Sequence, residues 1–290
     1  MKYCVNYHKD FRYLETIDEI IIKYKDRNIE VLEFLKTIPE QQRIILDITK
    51  DDNVIVEKNI DIFAAAIKIH KNLALMIPLH QRGAAVDLYE INIPFFFDTF
   101  VDKWDMLMSI LDCRVSDVYI VNELAFEMED VAKICKERKV QIRTFPNVAQ
   151  SSSKIQSLHN LKSFFIRPED IYIYDKYVDV CEFFGPADRQ SVLYEIYTSG
   201  RWLGDLKDLI IGFNFSLYSK FIMPAFGEER VNCGKKCYKG KCIVCDKIET
   251  IANQLQEAKI EIVTKKNKKE SKDEHTVIET TNEIETGQTS

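Results

Sequence analysis

Short apolar runs recur along the first 185 residues: YCVNY (3–7), RIILDI (43–48), LALMIP (73–78), PFFF (94–97), DVYIV (117–121), VQIRTF (140–145), SFFI (163–166) and VDVCEFF (178–184). Each is rich in β-branched or aromatic residues and apolar without strict alternation, the pattern of a strand covered on both faces. Between them lie segments with helical spacing. IDEIIIKYKDRNIEVLEFLKTI follows the first run, NIDIFAAAIKIHK the second and FVDKWDMLMSILDC the fourth. FEMEDVAKICKERK follows the fifth, with Phe126, Val131, Ile134 and Cys135 on one face and charges on the other. RQSVLYEIYTSGRWLGDLKDLI follows the eighth. Eight strands alternating with helices predict an α/β fold of the (β/α)8 TIM-barrel type, with a doubly wound open sheet as its rival. The repeat is short, about 23 residues against roughly 30 in a typical barrel, so a lean or irregular barrel is expected.

The pattern changes after Ile211. Residues 1–211 are expected to form the barrel domain, 212–264 a C-terminal extension, and 265–290 a disordered polar tail without aromatics. The extension holds the densest chemistry. Four of the eight cysteines fall in NCGKKCYKGKCIVC, spaced Cys233-x3-Cys237-x4-Cys242-x2-Cys245. Two close pairs joined by a short turn, with Gly234 and Gly240 to bend it, suit four thiolates on one Zn2+. An iron–sulfur cluster takes the same four ligands. The bland reading is a metal staple ordering the extension. Lys235, Lys236, Tyr238, Lys239 and Lys241 also fit a knuckle that contacts nucleic acid, cations meeting phosphate and the ring meeting a base.

Composition narrows the class. The chain has 290 residues, 46 % hydrophobic and 30 % charged, with a formal net charge of −6. That balance argues against coating nucleic acid wholesale. No run of about 18 uncharged apolar residues is present, so no membrane span is expected. The start, MKYCVNYHKDFRY, lacks an apolar leader core, and Cys4, Cys113, Cys135 and Cys181 sit singly in apolar segments. Together these predict a cytoplasmic protein with reduced thiols.

Chemistry in such a barrel sits where strands finish. The predicted strands end at Asn6 and His8, at Asp47, at Pro78 and His80, at Asn122 and Glu123, before Asn147 and Gln150, at Arg167 and Glu169, and at Glu182. From this rim Glu123, Asn147, Gln150, Arg167, Glu182 and Asp47 are the candidate catalytic residues, a set able to move protons or hold a polar ligand. Each also has a structural reading as a helix cap or an ion-pair partner. His70, in a helical pattern, is expected at the surface.

DVYIVNELAF (117–126), RTFPNVAQSS (143–152) and FFIRPEDI (164–171) give the order strand, acidic turn, helix, strand, small polar loop, strand ending in arginine. Over residues 90–185 this resembles the peptidase U32-like family. The resemblance implies a (β/α) barrel, in several members a four-cysteine iron–sulfur site, and activity in RNA or quinone hydroxylation or in peptide hydrolysis. In the family the cysteines are more dispersed than the packed set here. Two functions therefore stand open. One is an enzyme working at the barrel mouth on a polar or anionic substrate. The other is a non-catalytic binding or scaffold protein that uses the basic four-cysteine knuckle to contact nucleic acid or a protein.

Overall fold

A computed structural model describes residues 1–51, 53–121, 124–148, 165–202 and 209–211. Asn122, Glu123, Gln150, the four-cysteine stretch with its lysines, and everything expected of residues 212–290 lie outside the described residues.

Nine parallel strands form one sheet: β1 (Lys2–Asn6), β2 (Glu19–Lys23), β3 (Arg43–Asp47), β4 (Leu73–Ile77), β5 (Phe95–Phe97), β6 (Phe100–Val101), β7 (Asp117–Ile120), β8 (Gln141–Thr144) and β9 (Val180–Glu182). Their order is β5-β4-β3-β2-β1-β9-β8-β7-β6. The two outer strands, β5 and β6, are separated in the chain only by Asp98 and Thr99. Three Cα steps span at most about 11 Å, so the two edges of the sheet must lie close and the sheet must curl. Beside that seam the Ser116 amide, just before β7, donates to the Phe95 carbonyl at 2.8 Å. The architecture is α/β and barrel-like, as the alternating runs predict. All five residues of β3 and of β4 are buried, which fits strands covered on both faces.

Helices connect the strands: α1 (Glu30–Leu35), α2 (Ile60–Ile69), α3 (Ala85–Glu90), α4 (Trp104–Leu111), α5 (Met128–Glu137), α6 (Ile171–Tyr174) and α7 (Ala187–Ser199). In α5 the buried residues are Met128, Val131 and Cys135, with Glu129 and Asp130 in the first turn and Lys136 in the last. The apolar stripe faces the sheet and the end charges complement the helix dipole. Cys4, Cys113, Cys135 and Cys181 carry free thiols. Among the described residues no helix is long and apolar enough to cross a membrane.

Three expectations need correction. The long helical segment after β1 instead opens with β2, where three isoleucines and Glu19 are all buried. A helix cannot turn four consecutive residues to one side, and stiff β-branched side chains favour an extended chain. SFFI yields no strand in its described part: Phe165 and Ile166 are buried outside any strand, with the Ile166 amide bonded to the Pro146 carbonyl at 3.0 Å. His70 is buried, not superficial. It caps the end of α2, and its Nε2 lies 2.8 Å from the Gln42 carbonyl.

Candidate active site at the C-terminal mouth of the sheet

The period of two along each strand sends alternate side chains inward. Near the N-terminal ends of the strands the interior is charged. Arg43 clamps Asp117 with two bonds, Nη1 to Oδ1 at 2.7 Å and Nη2 to Oδ2 at 2.6 Å, and reaches Gln141 Oε1 at 2.8 Å. Arg143 Nη1 donates to Glu19 Oε2 at 2.7 Å and to Asp117 Oδ1 at 3.1 Å. Burial alone would raise the Asp117 carboxyl, but the charge and hydrogen bonds of Arg43, with Arg143 behind it, hold it at about 2. Two guanidiniums thus face two carboxylates, and the layer is balanced before any other acid is counted.

Glu182, at the end of β9, is the next acid above it. Its Oε2 accepts from the Tyr119 hydroxyl at 2.6 Å and lies 3.6 Å from Arg143 Nη2. Burial pushes the Glu182 carboxyl above the ordinary carboxylate range. Arg143 and the Tyr119 hydrogen bond oppose the shift, and Glu19 and Asp47 add to it. The arginine cannot cancel the desolvation, because its charge is shared with Glu19 and Asp117. Arg143 itself lies over the rings of Phe96 at 5.2 Å and Tyr119 at 5.6 Å, and its Nε and Nη2 make no hydrogen bond among the described residues.

Above Glu182 opens a cavity of about 480 Å3 at the C-terminal ends of the strands. Asn6, Lys23, Asp47, Lys50 and Asp98 line one side, and Phe100, Tyr119, Phe145 and Phe184 line the other. Asp98 is also raised, chiefly by burial, with Lys50 opposing and Asp47 reinforcing the shift. Asp47 Oδ1 accepts from the Thr49 amide at 2.9 Å and hydroxyl at 2.6 Å, which fixes its rotamer. Gly185 has φ of 137°, in the region that favours glycine, and an added Cβ would meet Arg189 Cδ at 3.1 Å. This turn carries the chain from β9 into α7 and delivers Gln190 to the cavity wall. His8 lines a neighbouring recess of about 350 Å3 that shares Asn6, Lys23, Gly185 and Gln190 with the mouth.

Of the residues expected at the mouth from strand ends, Asn6, Asp47 and Glu182 line one cavity. Asn147 and Arg167 do not. Asn147, fully buried, clamps the chain beyond β9: its Nδ2 donates to the Phe184 carbonyl at 2.8 Å, and the Phe184 amide donates to its Oδ1 at 3.0 Å. Arg167 makes a two-bond pair with Asp170, Nε to Oδ2 at 2.7 Å and Nη2 to Oδ1 at 2.8 Å. Asn147 therefore acts on the mouth by positioning Phe184. Replacing Asn147 with alanine leaves two backbone groups short of partners and is expected to cost about 2–3 kcal/mol. Urea denaturation at unchanged slope measures this, and a loss below about 1 kcal/mol would show that the amide pair is dispensable.

Strand-end reasoning missed Lys23 because β2 was hidden in a helical pattern. Asp98 directly follows the run PFFF and is open to the same rule, although no residue was taken from that strand end. Among the described residues, no group of three or more His, Cys, Asp or Glu is placed to hold a metal. Comparison of the chain with protein-family models and with curated proteins gave no match.

Proposed function

We propose that the chain is an acid–base enzyme whose active site is the mouth cavity and whose substrate is polar. The observation that carries this reading is Glu182: a carboxyl on the cavity floor, shifted upward by burial, oriented by Tyr119 and electrostatically tied to Arg143. A carboxylic acid that keeps its proton to a higher pH than an exposed one is better placed to donate it to a leaving group or a carbonyl and take it back. In this role Glu182 is the proton donor, while Tyr119 and Arg143 position it. Asp47 and Asp98 are the acids on the opposite side of the cavity, available to accept a proton or to hold polar groups.

The experiment is a carboxyl titration by infrared difference spectroscopy of wild type against Glu182→Gln. A protonated carboxyl that persists above about 4.3, the ordinary glutamate value, and vanishes in the variant is the expected result. A Glu182 that ionises at or below that value removes the acid from the proposal.

The resemblance of residues 117–126, 143–152 and 164–171 to peptidase U32-like barrels agrees with an enzyme of this architecture, and RNA modification or peptide hydrolysis are the activities it would bring. We retain, on cysteine spacing alone, a Zn2+ or iron–sulfur site at Cys233, Cys237, Cys242 and Cys245. Metal content and the absorption spectrum of the purified chain separate the two ions. The reading as a non-catalytic scaffold rests on the same stretch and its lysines.

A further inference from the structure

The two oxygens of Glu182 stand in different surroundings. Oε2 is held from within the sheet: the Tyr119 hydroxyl donates to it at 2.6 Å, and Arg143 Nη2 lies 3.6 Å away. Oε1 makes no hydrogen bond among the described residues, and it is not one of the buried atoms that lack a partner. It is therefore the oxygen with access to the cavity that Glu182 lines.

The surroundings also decide where a proton on this acid sits. A hydroxyl and a guanidinium are both donors, so an O–H on Oε2 would face two positive ends at once. Among the described residues the other acceptor within reach of the Tyr119 hydroxyl is the Met76 sulfur, at 3.7 Å, and a thioether accepts weakly. Tyr119 thus donates to Oε2. Oε2 is the carbonyl oxygen of the neutral acid, and the proton belongs to Oε1.

Arg143 is engaged on one side. Its Nη1 bonds Glu19 and Asp117, while Nε and Nη2, both buried, make no hydrogen bond among the described residues. Buried donors are seldom left in that condition. The distance from Nη2 to Oε2 is about 0.8 Å longer than a charge-assisted hydrogen bond. A neutral carboxyl gives Nη2 little reason to close it, and a carboxylate gives a strong one. We infer that Glu182 releases its proton from Oε1 into the cavity, and that Arg143 receives the charge left behind, Nη2 then bonding Oε2 across the gap that the neutral acid leaves open. The O–H bond at Oε1 breaks, its electron pair stays on the carboxylate, and the proton passes to the substrate. Return of a proton to Oε1 reopens the gap. Arg143 is thus a positioning residue that acts on the conjugate base, and Tyr119 bonds Oε2 in both states. This inference rests on the reading of Glu182 as the proton donor and assigns the step to its atoms.

The groups facing Glu182 leave its titration legible. Cys4 on β1 and Tyr119 on β7 are both raised well above their ordinary values by burial and keep their protons while Glu182 ionises. Glu19 on β2 and Asp47 on β3 oppose a charge on Glu182, and Arg143 on β8 favours it. Lys23, Lys50 and Asp98 line the same cavity.

Two spectroscopic measurements on the full chain test the assignment. In the infrared, the C=O stretch of protonated Glu182 is isolated by difference against Glu182→Gln. In Tyr119→Phe, shown to be folded by thermal melting, this band is expected at higher wavenumber, because the carbonyl oxygen has lost its donor. The midpoint should rise as well, because the lost bond favoured the carboxylate. A band that stays in place puts the proton on Oε2 and overturns the assignment. The second measurement needs no change to the fold. In wild type labelled with heavy nitrogen in arginine, the Arg143 signals are recognised by their contacts with the rings of Phe96 and Tyr119, over which the guanidinium lies. Its Nη2 protons are expected to move downfield as Glu182 ionises, with the midpoint of the infrared band, and to stay flat in Glu182→Gln. No response at Arg143 overturns the inference. A response that follows an ordinary midpoint near about 4.3 would leave the Arg143 pairing standing and remove the acid–base reading. A raised midpoint with neither the band shift nor the arginine response would do the reverse.

Discussion

Replacing Arg143 with methionine is expected to destabilise the chain by about 3–5 kcal/mol, the cost of stranding buried charges. Arg143 is fully buried and its Nη1 is the only side-chain bond Glu19 Oε2 makes among the described residues. Without it Glu19 keeps, among the described residues, Arg43 at 3.5 Å and Lys2 at 4.0 Å. Asp117 keeps its clamp from Arg43 and suffers less. The loss should lower Tm by roughly 6–20 °C for a domain of this size. The control is Arg143→Met combined with Glu19→Gln, which removes one charge of each sign. The pair should recover more than about 1 kcal/mol of the single loss, because neutralising Glu19 removes the stranded charge. A single variant within about 1 kcal/mol of wild type would mean that the buried layer relaxes or hydrates freely.

Glu182→Gln is expected to reduce turnover about 10²–10⁴-fold on whatever substrate the mouth accepts, the usual worth of a positioned proton donor. The glutamine keeps shape and can still accept from Tyr119, so the fold should survive. Wild-type activity should fall as pH rises through the Glu182 pKa, since the protonated form is the donor. Stability carries the same signature. The folded pKa is raised above the unfolded value, so the folded state holds the proton more tightly. That contribution is complete below about 4.3 and is lost as pH rises through the folded pKa. The variant should lose this slope. Asp117 works in the opposite direction: held at about 2, it stabilises the fold above the unfolded value of about 3.9 and loses that contribution as pH falls to 2. A variant with wild-type turnover would leave Glu182 as a structural acid.

Much of this could be read in the chain. Continuous apolar runs located β1, β3, β4, β5, β7, β8 and β9, because burial on both faces leaves a mark on every residue. Asp47 and Glu182 were accessible because each is a carboxylate within the last three residues of such a run. What escaped was whatever depends on register. The pairing of Tyr119 with Arg143 across β7 and β8, and of Cys4 with Glu182 across β1 and β9, decides which polar groups meet inside, and no local pattern encodes it. Arg143 sits in VQIRTF beside Gln141 and Thr144, and nothing nearby in sequence announces Glu19 as its partner. Asn147 and Arg167 misled for a related reason: a polar residue at a strand end can serve backbone or helix start as readily as a ligand. The cavity's rings were visible only as core-forming phenylalanines until the fold placed Phe100, Phe145 and Phe184 along it.

The two-residue break at Asp98 and Thr99 divides more than a strand. Everything before it, from β1 to β5, is contiguous in the sheet, and so is everything after it, from β6 to β9. The same cut separates Asn6, Lys23, Asp47, Lys50 and Asp98, all on the first piece, from the four rings, Glu182 and Gln190, all on the second. The sheet is thus two half-shells, each carrying part of the cavity lining and neither holding all of it. Chains severed at that point and expressed as a pair would regain the cavity only by reassembling along two seams, β1 against β9 and β5 against the residues preceding β7. Ligand binding would then report on reassembly itself.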